Sequence, residues 1–329
     1  MKLKSSAVVV HSFPQSAEEP GLAPPAWVEA LLGRFARRST AAHGAVSLEI
    51  TESGGLGLAS VRVRQARQLD RVAFRETVAS AYRWIRTELC ERCYSHPVRL
   101  WNHLPGIHDP VGEGQDRYMA FNAGRFDALS EWFGKESFDT RIATASGVGH
   151  DGQDLVLHCL AADRPGRAVD NPRQVAPYRY SQKFGPLPPC FARATVVEPS
   201  LGTPLVLVGG TASIVGEESV HRGDLERQTD ETLTNLAVLL RAAGGAPGDP
   251  LEDRAAALAG FRDVRVYFPD PGRLDELRAL LGNAFPGAGP VEWVRADICR
   301  AELLVEIEGV AELSFGPSCP ATSPSGSLS

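Results

Sequence analysis

Lysine is nearly absent from this chain of 329 residues: of its 34 basic residues only Lys2, Lys4, Lys135 and Lys183 are lysines. No stretch clusters Lys and Arg as a nucleic-acid-binding arm would, and the 40 acidic residues leave a net charge of −6, so no global field draws phosphate backbones in. Nucleic acid is therefore excluded as an expected partner. Long apolar runs are missing too. Nothing approaches the ~20 consecutive apolar residues of a membrane helix, and the run Ala7 to Val10 after Lys2 and Lys4 is too brief for a secretory signal. These absences predict a cytoplasmic protein with no membrane partner, whose six cysteines (90, 93, 159, 190, 299 and 319) stay reduced. There is no P-loop and no nucleophile elbow. Gly54-Gly55-Leu56-Gly57 has no strand-loop-helix context with a downstream acid, so it is not a dinucleotide fingerprint. Cys90-x-x-Cys93 with His96 and His103 lacks a tight second ligand pair, and no metal is expected.

What is present is an ordinary globular composition, 43% hydrophobic and 22% charged, enough for a packed core. The first thirty or so residues, with Pro14, Pro20, Pro24 and Pro25, and the end from Gly316 to Ser329 read as poorly ordered tails. Between them one order of elements, β-β-α-β-α-β-β, occurs twice, with matching elements about 150 residues apart. In the first pass, strands are predicted at Ala45 to Thr51 and Ser60 to Arg64, and a helix at Val72 to Cys93 with Val78, Tyr82, Ile85 and Leu89 on one face. A strand at Val98 to Leu104, a helix around Arg117 to Trp132, and strands at Thr140 to Thr144 and Asp154 to Ala161 follow. The second pass has strands at Phe191 to Val197 and Leu205 to Val208, and a helix at Asp224 to Ala243 with Leu225, Thr232, Leu236 and Leu239 facing inward. A strand at Val264 to Phe268, a helix at Leu274 to Leu281, and strands at Val291 to Ile298 and Leu303 to Val310 complete it. Gly244 to Gly260 reads as a surface-loop insertion. The expected class is α+β, with helices on one face of mixed, mostly antiparallel sheets. The expected division is an extension (1–39), two halves (40–165 and 166–315) and a tail (316–329).

The segment from Gly209 to Gly244, with Gln228, Leu233 and Asn235 on its helix, and the closing VEIEG (Val305 to Gly309) are similar to the YjgF (RidA-like) deaminase superfamily. That likeness concerns fold rather than reaction. More specific are RLWNHLPGIHD (Arg99 to Asp109), RYMAFNAGRFDAL (Arg117 to Leu129), NPRQVAPYRYSQKFGPLPPCFARA (Asn171 to Ala194) and GTASIVGEES (Gly210 to Ser219). Taken together they resemble the chorismatase family, chorismate-cleaving enzymes of bacterial secondary metabolism built on two YjgF-like (chorismate mutase-like) repeats. The resemblance spans roughly Val98 to Val310.

It implies chorismate as the substrate. A dianion needs anchors that grip carboxylates, and Arg does so bidentately. Arg193 lies in the CFARA strand, and Arg117 and Arg125 stand about 80° apart on a helix; the residues alone leave a solvated surface role open. Tyr178 and Tyr180 share one face if the segment is extended, and could serve the substrate or only pack. Glu306 is the catalytic candidate. In LLVEIEGV it alternates with Glu308 opposite Val305 and Ile307, and a carboxyl in an apolar pocket is held protonated and can act as a general acid. The family's catalytic Glu falls on the first of the two, hence Glu306. Cys299, seven residues earlier, resembles the family's branch point, where Cys accompanies 3-hydroxybenzoate formation and an aliphatic residue a dihydroxycyclohexadienoate. The expected products are thus 3-hydroxybenzoate and pyruvate, with Ala212 lining the same pocket. Enol ether cleavage needs acid and positioning but no redox chemistry, so no cofactor is expected. The alternatives are a hydrolase giving the dihydroxycyclohexadienoate, an imine-hydrolysing deaminase, or a non-catalytic ligand-binding protein. YjgF-like domains assemble around a threefold axis, which two repeats could satisfy internally, so a monomer or trimer is expected.

Overall fold

A computed structural model describes residues 21–134, 137–198, 203–245 and 253–313. The predicted tail 316–329 and the first twenty residues lie outside the described residues. The chain opens with helix α1 (Ala26–Leu32), then the meander β1 (Arg37–His43), β2 (Val46–Ser53) and β3 (Leu56–Val63). Helix α2 (Arg71–Glu91) leads to strand β4 (His96–Pro105), a small hairpin of β5 (Pro110–Gly112) and β6 (Gln115–Asp116), and helix α3 (Arg117–Phe133). After a helical turn, α4 (Phe138–Arg141), come β7 (Thr144–His150) and β8 (Leu155–Ala162). The second half runs β9 (Arg167–Val169), β10 (Ala194–Val197), β11 (Leu205–Ala212), a hairpin of β12 (Ile214–Val215) and β13 (Glu218–Ser219), and helix α5 (Leu225–Gly244). It ends with α6 (Arg254–Leu258), β14 (Phe261–Phe268), α7 (Leu274–Leu281), β15 (Glu292–Arg295), β16 (Asp297–Ile298) and β17 (Glu306–Glu312).

The three long helices start alike: Asp70, Asp116 and Asp224 each accept a hydrogen bond from the backbone N–H three residues on, satisfying a donor the helix itself leaves free. The two large sheets share an internal order. One runs β1-β2-β3-β8-β4-β7-β16 and the other β15-β14-β17-β11-β10-β9; read outward from β2 and from β10, the strands β2-β3-β8-β4-β7 and β10-β11-β17-β14-β15 correspond one to one. The predicted α+β repeat is therefore present as two sheets, antiparallel except where β4 pairs with β7 and β14 with β15.

Each sheet has two apolar faces. Outer faces pack on helices: Ile50, Val61, Leu157 and Cys159 against Val78, Tyr82, Ile85 and Leu89 of α2 and Phe121 and Leu129 of α3, and Val206, Val266 and Ile307 against Leu236 and Leu239 of α5 and Leu277 of α7. Inner faces meet each other through Trp101, Leu160, Leu207 and Val310. Burial on both sides explains why β8 is apolar, but for His158, rather than alternating.

The structure corrects several expectations. Residues 21–39 are not a loose extension: Val28 and Leu32 of α1 pack on the Trp101 cluster, and β1 begins at Arg37. β1 carries no alternation because nearly all of it is exposed at the sheet edge. Thr140 to Thr144 is not a strand; α4 runs on to Arg141 and β7 starts only at Thr144. Val291 to Ile298 is not one strand, since the chain crosses at Ala296 from β14 to β7, joining the two sheets. The strand expected at Leu303 begins only at Glu306. The Gly244 to Gly260 insertion holds α6, with 246–252 outside the described residues. Among the described residues no helix is long and apolar enough to cross a membrane.

Candidate active site

Where the sheets meet, the start of α3, the middle of β7, the segment from Tyr180 to Arg193, the end of β11 and the turn after β16 enclose a cavity of about 320 Å³, at the small end of the ~300–1,000 Å³ typical of small-molecule sites. Glu306 projects into it. Its strand pairs with Ala212 of β11 on one side and Tyr267 of β14 on the other, so its side chain points to the sheet interface rather than to α5. Glu306 is 4% exposed, and its Oε1 has no hydrogen-bond partner. Burial, reinforced by the neighbouring Glu308, pushes its carboxyl up to about 8. Its carboxyl is thus held toward the protonated form near neutral pH, with Oε1 left without a protein partner.

The carboxyl fits because residue 210 is glycine. The ladder between β11 and β17 slips between Val208 and Thr211, and in this bulge a Cβ on Gly210 would lie 2.1 Å from Glu306 Oε1. The Gly210 N–H instead donates to Ser146 Oγ at 2.9 Å. Glu308, on the same strand face, is 1% exposed. It accepts from Arg99 Nη2 at 2.6 Å and Trp101 Nε1 at 3.0 Å, and also from Ser146 Oγ.

Two buried guanidinium groups face the cavity without ion-pair partners among the described residues. Arg193 is 4% exposed; it donates from Nη2 to Tyr180 Oη at 2.6 Å, and its Nε is unsatisfied. Arg125 is 1% exposed; it donates from Nη2 to Asn122 Oδ1 at 3.0 Å and also bonds the buried Tyr82 phenol, and its Nε is free. A buried charge is costly unless compensated, so a pair of uncompensated arginines is the signature of a site for an anion. The Phe191 ring lies beneath both. Arg300, less buried, also lines the cavity: its guanidinium sits 4.0 Å from the Phe184 ring and donates to the Glu217 carbonyl and Ser219 Oγ.

Cys299 lines the same cavity, and burial, together with Glu306, pushes its thiol up to about 12. It is a neutral, weakly polar wall rather than a nucleophile. Ala212, 2% exposed, stands across the ladder from Glu306.

Of the predicted residues, Glu306, Cys299, Arg193, Arg125, Tyr180 and Ala212 converge on the cavity; Arg117 and Tyr178 do not. Arg117 points the other way, donating to the backbone carbonyls of Ala66 and Arg67 above the Phe74 ring. An angular separation of 80° ignored the rise of roughly 12 Å over eight helical residues. Tyr178 sits in a 3₁₀ turn, Pro177–Arg179, where residues two apart diverge, and its hydroxyl donates to Asp170. Sequence reasoning missed Ser146, Gly210, Tyr118 and Arg300. Gly210 carried a signal, since paired glycines inside a strand indicate a bulge. Ser146 carried none.

Comparison with known proteins agrees with this picture. Residues 35–161 match the family described as chorismatase FkbO/Hyg5-like, N-terminal. The 3-hydroxybenzoate synthase of Streptomyces hygroscopicus is 32% identical over 241 residues, 72% of this chain and 69% of that protein. A chorismatase of Streptomyces rapamycinicus is 33% identical over 66% of this chain and 64% of its own length. A crystal structure of a chorismatase superposes with a TM-score of 0.71 at 26% identity, covering 83% of this chain and 78% of that one. The chain belongs to the chorismatase family.

Proposed function

We propose that this protein cleaves the enolpyruvyl ether of chorismate, giving 3-hydroxybenzoate and pyruvate, with Glu306 as the proton donor. The observation that carries the reading is a buried, protonated carboxyl with a free oxygen, set in one cavity with two unpaired arginines. Arg125 and Arg193 would each take a carboxylate of the dianion, holding the enol ether against Glu306. Glu306 gives its proton to the exocyclic methylene carbon. The enolpyruvyl oxygen then leaves the ring carbon as the ketone oxygen of pyruvate. The neighbouring ring hydroxyl oxygen forms a bond to that carbon and loses its proton, which restores the proton count. Opening of the resulting epoxide, with a ring proton lost and one gained on oxygen, gives the aromatic product, so no water is consumed overall. Cys299 and Ala212 fill the wall from which water would otherwise attack, and they support the aromatic product over the dihydroxycyclohexadienoate.

The test is incubation with chorismate, following pyruvate and separating the aromatic products by chromatography. Pyruvate with 3-hydroxybenzoate is expected; no pyruvate would refute the reading, and pyruvate with the diene acid would refute the part given to Cys299. Glu306→Gln is expected to lower turnover by at least ~10²–10⁴-fold, the contribution of a positioned general acid, with unchanged circular dichroism. Cys299→Val is expected to move product from 3-hydroxybenzoate toward the diene acid.

A further inference from the structure

Glu308 is a second buried carboxylate two residues from Glu306, and the reaction itself gives it no part. Neighbours on one strand face lie roughly 7 Å apart, close enough for one charge to govern the other where water is excluded. Glu308 is well provided for, with Arg99, Trp101 and Ser146 all donating to it. Glu306 has no such donors at its Oε1. Two carboxyls in one dry interface, one fully solvated by protein donors and one not, divide their roles: the first keeps the charge and the second the proton.

The connection is also mechanical. Ser146 Oγ accepts from Arg99 Nη2 at 2.7 Å and from the Gly210 N–H at 2.9 Å, and donates to Glu308. Gly210 is the backbone against which the Glu306 carboxyl rests. We propose that Glu308, held by Arg99 and Ser146, and Ser146 itself form the positioning apparatus of Glu306: Glu308 sets a fixed negative charge beside its carboxyl, and Ser146 pins the Gly210 backbone that aims it into the cavity.

The other charged and titratable groups facing Glu306 act less directly. From β4, Arg99 opposes Glu308 but is committed to it by a 2.6 Å ion pair. From β14, Arg265 is paired with Glu292 and Tyr267 is a neutral phenol, held well above its ordinary range by burial. From α3 come Arg125 and the buried phenol of Tyr118, from the segment before β10 Arg193 and Tyr180, and from the turn after β16 Cys299, Arg300 and Glu302. Arg193, like Arg99, favours the charged form of Glu306, and Glu308 is the group set against them.

The inference rests on Glu306 being the proton donor, and its test is chosen to fail separately. Glu308→Gln keeps the shape and removes the charge. The alkaline limb of its kcat profile is expected to move down by about one pH unit or more, so that the rate at pH 8 falls about fivefold while the rate at pH 6 is retained. Ser146→Ala is expected to lower kcat at every pH with little change in KM and no shift of the limb. A limb left unmoved in Glu308→Gln, or a Ser146→Ala enzyme with wild-type kcat, would overturn the corresponding half. A substrate-free readout stands beside these. Infrared difference spectra of wild type against Glu306→Gln at pH 7 should show one protonated carboxyl lost, whether or not Glu308→Gln folds. No such band, or its persistence in Glu306→Gln, refutes the division of roles. An intact band in a protein that releases no pyruvate would instead remove the chorismate-cleaving reading and leave this one standing.

Discussion

Arg193 and Arg117 are equally hidden, at 4% exposure each, yet they have opposite employment. Arg117 spends its donors on the carbonyls of Ala66 and Arg67 and so ties α3 to the turn before α2. Both leave Nε without a partner, so neither burial nor an unsatisfied donor distinguishes them; what differs is that Arg193 lines the cavity and Arg117 does not. Arg193→Lys removes the fork but keeps the charge. It should raise KM for chorismate by about 10- to 100-fold, the worth of one or two charge-assisted hydrogen bonds. Arg117→Lys should lower Tm and leave KM within about twofold. Steady-state kinetics on the two variants checks the contrast, and equal effects on KM would place both side chains on the substrate. Glu306 and Arg193 were singled out in the sequence by the family resemblance of their motifs; a charge among apolar residues alone left a solvated role open for each. The separation of Tyr180 from Tyr178 was not legible, since it depends on a 3₁₀ turn that only the packing of Pro177 defines.

At the scale of elements, the bulge in β11 connects the two sheets' chemistry. Regular pairing would aim the Gly210 N–H along the ladder to β17; the slip between Val208 and Thr211 turns it to Ser146 on β7 of the other sheet. Gly210→Ala should keep the fold while driving the Glu306 carboxyl off its position, because the new Cβ would fall 2.1 Å from Oε1. A displacement of that order costs about 10²-fold in kcat. A kcat within a factor of about two of wild type, with unchanged circular dichroism, would show that the carboxyl is aimed by something else. Helices α2, α3, α5 and α7 and most strands could be read from the sequence pattern, although α3 and α5 bury more than one stripe; α1, α4 and α6, where a tail, a strand and a loop were expected, could not. The short β16 could not. Two residues have no period, and their partner, β7, lies almost 150 positions away in sequence.

At the scale of the whole molecule, the interface between the sheets buries ionisable groups, several of them shifted by burial toward their neutral forms, which makes stability depend on pH. His158 is the clearest case. Its ring bridges Ser60 Oγ of β3 at 2.8 Å and the Leu22 carbonyl at 2.7 Å, and burial pushes it down to about 4. His103, stacked edge-on to it, is held well below its ordinary range, again by burial. A histidine depressed in the folded state contributes stability above its unfolded value of ~6.5, and that stability is lost as pH falls toward the folded value. For His158 the window is therefore roughly pH 6.5 down to 4, with a loss on the order of 2–3 kcal/mol. Glu306 works in the opposite sense: raised to about 8, it costs no stability below its unfolded value and progressively more as pH rises to about 8. Thermal melts between pH 4 and 8 should show Tm falling on the acid side in wild type. In His158→Gln, which can keep one of the two hydrogen bonds but cannot acquire charge, the acid limb should flatten although Tm at pH 7 is lower. Parallel acid limbs in the two proteins would assign acid sensitivity to the surface carboxylates instead of to the buried interface.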